Sequence, residues 1–304
     1  MSEVFAELAP VFIIIALGWA ARAARVGTPE AFGHVNRFGY FVLYPAFLFL
    51  LSFDADLSDL NSLRFVAALL AGFAAMIALT LLMKPLFKDG PAFTSVFQGS
   101  VRWNGFVLLS AAPGLYGPLG PQMIGLAFGP LVLLVNVICV AVLMRWGEKR
   151  AASMRALLDQ IIANPLILGC FFGLAAHAIG IRNLGPLRGA LDLLGHAAMP
   201  VALLCVGAGL DFRALRARPL PVAVACVMKL AIAPALMWGL ARCVGASPAL
   251  AAIAAGVGST PTAAAGYTMA RELGGDARLM AAIVTATTLL SFISMPIVIA
   301  LAGR

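Results

Sequence analysis

Two short stretches carry the residue types that could do chemistry in an otherwise apolar chain. One reads Gln98-Gly-Ser-Val-Arg102-Trp-Asn104-Gly105 and is followed by Pro113-Gly114; the other reads Gly256-Val-Gly258-Ser259-Thr260-Pro261-Thr262. Each interrupts the middle of an apolar run long enough to cross a bilayer. A proline removes a backbone donor and clashes with the preceding turn, and Gly and Ser weaken the helix around it, so both runs are expected to unwind at depth. Unwound backbone is tolerated there only inside protein or beside a wet cavity. Half-helix N-termini formed in that way point free N–H groups and partial positive charge into the cavity, which suits an anion. Taken singly, each stretch could equally be a set of small residues that lets helices pack closely. As a pair in corresponding places they point to a binding site made of Arg102, Asn104, Gly105, Gly258, Ser259, Thr260, Pro261 and Thr262.

Two cations lie deep in apolar runs, where a charge is costly unless paired or hydrated. Arg102 either neutralises a substrate carboxylate or snorkels and bonds to carbonyls of the broken helix. Lys229 has no acidic residue at similar depth, so backbone, a lipid or the broken helices are its expected partners and a structural role is expected. Asp and Glu sit at the ends of the apolar runs, with Asp192 and Asp276 nearest to entering one, which disfavours a proton mechanism centred on a carboxylate. His34, His177 and His196 are scattered, and the five cysteines stand singly without CxxC spacing, so neither a proton relay, a metal site, a cofactor nor a disulfide framework is expected. No HExxH, GxSxG or Walker sequence is present, so enzyme chemistry and ATP-driven pumping have no motif to rest on. Asn36, Asn136, Asn164 and Ser291 are expected to bond between helices rather than to bind a ligand.

The elements that must position these residues follow from composition. Of 304 residues, 62% are hydrophobic and 11% charged, far from the roughly 25% charged residues of a soluble protein, which makes this a polytopic membrane protein. The net charge of +8 comes without a basic run interleaved with aromatics, so nucleic acid is excluded as a partner. Apolar spans fall near 4–21, 33–53, 63–83, 93–116, 121–145, 160–180, 187–210, 219–242, 248–270 and 277–302. Alternating the loops between two faces leaves 14 Lys and Arg on one face and five on the other (Arg64, Arg182, Arg188, Arg242 and Arg304). By the positive-inside rule the first face is cytoplasmic and both termini lie outside an inner (plasma) membrane. Glu3 and Glu7 precede the first span in place of a positive n-region, so that span is expected to be retained. A linker at 146–159 separates residues 1–145 from 160–304, and five spans in each set make the halves antiparallel. An offset of 155 residues relates Pro10 to Pro165, Gly18 to Gly173, Pro45 to Pro200, Gly90 to Gly245 and Asn136 to Ser291.

At these residues the chain resembles the auxin efflux carrier family, including bacterial members described as malate or malonate permeases, over nearly its whole length. Asn36 to Phe49 (NRFGYFVLYPAFLF) is similar to that family's second helix, Arg102-Trp103-Asn104-Gly105 with Pro113 to its fourth, and Asn164-Pro165 to its sixth. Pro200 with Gly207 resembles the seventh, Lys229 with Pro234 the eighth, Pro261-Thr262 and Met269 to Glu272 the ninth, and Ser291 with Pro296 the tenth. The resemblance implies an all-α fold of ten transmembrane helices in two inverted five-helix repeats, with broken helices four and nine crossing at the substrate, as in bile-acid symporters and sodium/proton antiporters. It also implies a scaffold of helices 1, 2, 6 and 7, often a homodimer, past which the other six move as an elevator carrying small organic anions, carboxylates especially. Carried over, Asn104 and Thr262 become substrate contacts, and Pro45, Pro113, Pro200, Lys229, Asn136 and Ser291 helix-break or structural positions. Trp103, where plant members have proline, and Thr262 in place of an amide both stand against auxin itself as the substrate. Competing readings are a sodium-coupled symporter of the bile-acid type and, outside transport, a membrane-embedded enzyme or a receptor.

Overall fold

The computed structural model describes residues 2–55, 60–148, 163–216 and 218–303. Most of the 146–159 linker lies outside these residues. The described elements are α1 (Ser2–Ala23), α2 (Pro29–Phe53), α3 (Leu60–Leu82), α4 (Gly90–Val101), α5 (Gly105–Tyr116) and α6 (Leu119–Trp146), then α7 (Pro165–Ala178), α8 (Pro186–Ala208), α9 (Pro219–Cys243), α10 (Pro248–Ser259), α11 (Ala265–Leu273) and α12 (Ala277–Ala302). Short helical turns join some of them, and no strand occurs among the described residues. Among the described residues, seven helices are long and apolar enough to cross a membrane, and α7 and α10 are shorter apolar helices. This is an all-helical, multi-pass membrane protein.

Local chemistry explains most boundaries. Thr28, Asp89, Asn164, Ser247 and Asp276 accept hydrogen bonds from the first-turn N–H groups of α2, α4, α7, α10 and α12, satisfying donors that have no intrahelical partner. Proline opens α2, α7, α8, α9 and α10, where its missing N–H costs nothing. Inside α2 and α9 the helix widens to a π-turn at Gly39–Leu43 and Met228–Ile232. Both widenings end just before a residue-proline step, Tyr44-Pro45 and Ala233-Pro234, where the ring displaces the carbonyl of the preceding turn and an i→i+5 bond replaces the lost one. Pro113 and Pro200 differ from the expected breaks, since α5 and α8 run through them. Asn164 caps its own helix, Ser291 donates to Thr288 O and Asn36 accepts from Tyr44, so these groups bond within their helices rather than between them.

Between helices distant in sequence, packing concentrates in two pairs, α1 on α8 and α2 on α7. Glycines set the spacing. A Cβ on Gly18 would lie 2.1 Å from Leu204 O, and one on Gly207 1.8 Å from Ile15 O. On the other pair, a Cβ on Gly169 would lie 2.6 Å from Pro45 O and one on Gly173 2.3 Å from Phe49 O. Helices this close touch backbone to backbone, the small-residue packing that membranes favour. Polar ties sit at the helix ends. Arg22 donates to Ala208 O and Leu210 O at the C-terminus of α8. Arg188 holds Asp54 bidentately at 2.8 and 3.0 Å. Arg218 reaches Asp89 at 2.6 Å and Asp276 at 3.3 Å. Partial burial alone would raise the Asp89 carboxyl, but the hydrogen bonds from Arg218 and the Ala92 N–H, with the Arg218 charge, bring it below its ordinary range.

A crossing of two broken helices

The chain leaves the helix at 102–104, between α4 and α5, and at 260–264, between α10 and α11. Arg102 and Thr260 take extended backbone (ψ 142° and 150°) directly after the last helical residue. The two breaks lock onto each other. Asn104 N–H donates to Pro261 O at 2.9 Å, and the Thr262 hydroxyl donates to Gly99 O at 2.6 Å. Thr262 N–H in turn donates to the Thr287 hydroxyl of α12 at 3.2 Å. Residues more than 150 positions apart thus supply the backbone partners that an unwound helix loses, which is what lets it unwind away from water.

The two half-helices that end at the crossing carry orphan carbonyls and the negative end of the helix dipole. At α10 the Ser259 and Thr260 hydroxyls donate back to Gly256 O and Val257 O, and the fully buried Lys229 donates to Gly258 O at 3.0 Å. Gly258 is required here, because a Cβ would sit 2.6 Å from Pro234 Cα of α9. At α4, Thr262 takes the Gly99 carbonyl and Arg102 leaves the helix as its C-cap. Each terminating half-helix therefore has a buried cation at its negative end, Arg102 for α4 and Lys229 for α10. Of the partners left open for Lys229, the structure shows the Gly258 carbonyl of the broken helix.

Arg102 is held differently. It is 5% exposed, its Nε donates to Gln98 Oε1 at 3.1 Å and its Nη2 to the Met269 sulfur of α11, with the Cys139 thiol of α6 against it. It forms no ion pair among the described residues. The opposite half-helix ends bring N–H groups: Asn104 is the N-cap of α5, yet its side chain makes no capping bond. Around the break stand Trp103, packed on Phe128 at 5.1 Å and Phe73 at 6.2 Å, and Phe106, packed on Phe128 at 5.7 Å and on Tyr44 of α2 at 4.6 Å. A Cβ on Gly105 would lie 2.3 Å from Phe128, so glycine there admits the aromatic wall.

All eight residues expected at the site gather at this crossing, but with distinct engagements. Ser259, Thr260 and Thr262 spend their hydroxyl protons on carbonyls, and Gly105 and Gly258 serve close approach. Arg102 and Asn104 are the members whose polar groups are left with weak or no protein partners. Gln98 opens the first of the two stretches but was not among the eight, and Met269, Cys139, Tyr44 and Phe106 were not expected here. Gln98 could have been found from its i, i+4 spacing to Arg102, whereas Met269 and Cys139 read as ordinary apolar residues.

Two interrupted apolar helices thus cross in the interior of a multi-pass membrane protein, with a buried cation at each terminating end. The chain belongs to the family described as "Membrane transport protein", whose model matches residues 148–299, half of its length. It is 26% identical to the "Putative malonate transporter" of Rhizobium meliloti (strain 1021), over 96% of this chain and 93% of that protein. It is 22% identical to an "Uncharacterized transporter" of Methanothermobacter thermautotrophicus, over 94% of each. The protein is a transporter.

Proposed function

We propose that the protein is a secondary carrier of small organic anions, carboxylates in the first place, that binds them at the α4–α5/α10–α11 crossing and works by an elevator motion. The observation that carries this is Arg102, a buried guanidinium without an acidic partner beside the unengaged Asn104 side chain and the N-terminus of α5. A buried cation costs several kcal/mol unless something neutralises it, and a carboxylate arriving there gains a charge, an amide and a helix N-terminus together.

The proposed architecture is two inverted five-span repeats, 1–145 and 160–304. It is supported by a pair of contacts that exchange under the 155-residue offset: Gly18 meets Leu204, and Gly173 meets Phe49. Beyond the scaffold an offset of 158 fits better. It relates α4 to α10 end for end, starts α6 and α12 together, and pairs the caps Asp89 and Ser247; Gly90 then corresponds to Pro248, not Gly245. The scaffold consists of α1, α2, α7 and α8, which pack on each other through glycines, and dimerises through these helices. The moving bundle contains α3–α6 and α9–α12. A groove of about 530 Å³ between α1 and α12, lined by Phe12, Trp19 and Phe292 among others, lies along the seam between the two groups. Loops assigned to one face also meet one another: Arg22 with Leu210, and Arg218 with Asp89 and Asp276. That face is taken as cytoplasmic, with both termini outside.

Thermal-shift titration of purified protein with a series of mono- and dicarboxylates tests the assignment. Arg102→Gln should weaken a dianion more than a monoanion, because one Coulombic contact is lost from a desolvated site. Asn104→Leu should cost roughly 1–3 kcal/mol of binding, about 5- to 150-fold, with little change in expression. Normal binding by Asn104→Leu, or equal losses for both charge classes in Arg102→Gln, would refute it. Sodium-dependent uptake would favour the bile-acid type of symport instead.

A further inference from the structure

The donors around Arg102 are in surplus. A guanidinium offers five N–H groups in a planar fork, and here one has a good acceptor, Gln98 Oε1. Others meet the thioether of Met269 and the sulfur of Cys139, both weak acceptors. One turn before Arg102, the Gln98 amide is fully buried, and its Nε2 donates to nothing. Its oxygen accepts from Arg102, and its NH2 group, on the other arm of the same amide, is left without an acceptor. Two strong donors one helical turn apart in sequence, one of them charged, thus lack a strong acceptor, and at Arg102 sulfur stands in the acceptor's place. Natural interiors rarely leave a buried donor unmet without a functional reason.

We propose that Gln98, Arg102 and Met269 form the pocket for one carboxylate of the transported anion, and that the Met269 sulfur holds the acceptor position until that carboxylate displaces it. The pocket presupposes anion binding at the crossing and adds to it the residues that select the chemical group. A carboxylate fits because its two oxygens lie in one plane and accept in parallel from a guanidinium fork, with a lone pair left for the Gln98 NH2. The thioether fits the role of placeholder, since it is polarisable enough to tolerate the cation and weak enough to be replaced. Its position gives the exchange a consequence. Met269 belongs to α11, which lies close over Arg102: a Cβ on Gly266 of the same helix would come 3.3 Å from Arg102 Cδ. Displacing the sulfur therefore loosens α11 from α4, and the second half of the chain senses that the first has taken up its ligand.

Full-length protein in detergent is compared with Met269→Glu, Met269→Gln and Gln98→Leu, using malonate and acetate as probes. Met269→Glu places a tethered carboxylate against Arg102. Without any ligand its unfolding midpoint should rise above that of wild type, and its malonate affinity should fall at least about tenfold, the value of one lost charge-assisted contact. Met269→Gln has similar length but no charge, and should keep malonate affinity within about threefold. Gln98→Leu should weaken malonate about five- to twentyfold. An unchanged or lower midpoint for ligand-free Met269→Glu overturns the pocket whether or not the probes bind. Malonate binding that is undiminished in both Met269→Glu and Gln98→Leu, but lost in Asn104→Leu, also overturns it while leaving the crossing as the anion site. Wild-type protein that binds no carboxylate overturns the crossing assignment itself.

Discussion

Thr262→Val isolates the contact that ties one broken helix to the other. The change keeps the size and the branched Cβ and removes only the hydroxyl, whose proton lies on Gly99 O at 2.6 Å in a buried setting. That carbonyl belongs to the last turn of α4, where the chain has already left the helix, so it has no intrahelical donor to fall back on. Leaving such an acceptor unmet costs about 1–2 kcal/mol, between the modest average for hydrogen bonds in membranes and the full desolvation penalty of a buried carbonyl. For a chain of this size the loss corresponds to roughly 2–6 °C in unfolding midpoint. Thr262→Ser keeps the donor and loses only a methyl group, and should recover most of the difference. Both variants are read by thermal unfolding of purified protein without ligand. Equal midpoints for Val and wild type would refute the idea that this bond holds the crossing together, and equal losses for Val and Ser would assign the effect to methyl packing instead.

Gly207→Ala should separate α1 from α8, because the added Cβ would lie 1.8 Å from the Ile15 carbonyl; a loss of at least about 1–3 kcal/mol is expected from overpacking against backbone. Gly189→Ala in the same helix meets nothing within 4 Å and should be neutral or stabilising by up to about 1 kcal/mol, as read by the unfolding midpoints of the two variants. Asp89→Asn keeps the cap but removes the charge that Arg218 holds. Because the Asp89 carboxyl is held below its ordinary value of 3.8, its contribution is present above about pH 4 and is lost as the pH falls through the lowered value. The Asn variant should thus show a flatter stability profile below pH 4, and less than about 1 kcal/mol of difference at neutral pH, since the pair is largely exposed.

Hydropathy and charge placement alone located the helices to within a few residues, and they did so for a physical reason. The bilayer demands apolar runs of fixed length, and loops collect the charges, so span boundaries are written in the order of residues. The second break was legible for a similar reason: Pro261 cannot donate, and Gly and Ser on either side weaken the turn. The 102–104 break has no proline. Pro113, the nearest, sits within an unbroken α5, and what opens the chain at Arg102 is a set of partners from the far half, Pro261 O for Asn104 and Thr262 for Gly99. Such bonds have no local signature, because their energy depends on two segments meeting. The same holds for the division of labour among polar residues. The sequence set Arg102 and Lys229 side by side as buried cations and Thr262 beside Asn104 as equivalent contacts. Only the tertiary structure gave Lys229 to the Gly258 carbonyl and Thr262 to Gly99. It also left Arg102 facing an amide and a sulfur, because which acceptors lie within reach of a side chain is fixed by how helices pack, not by the residues that precede and follow it.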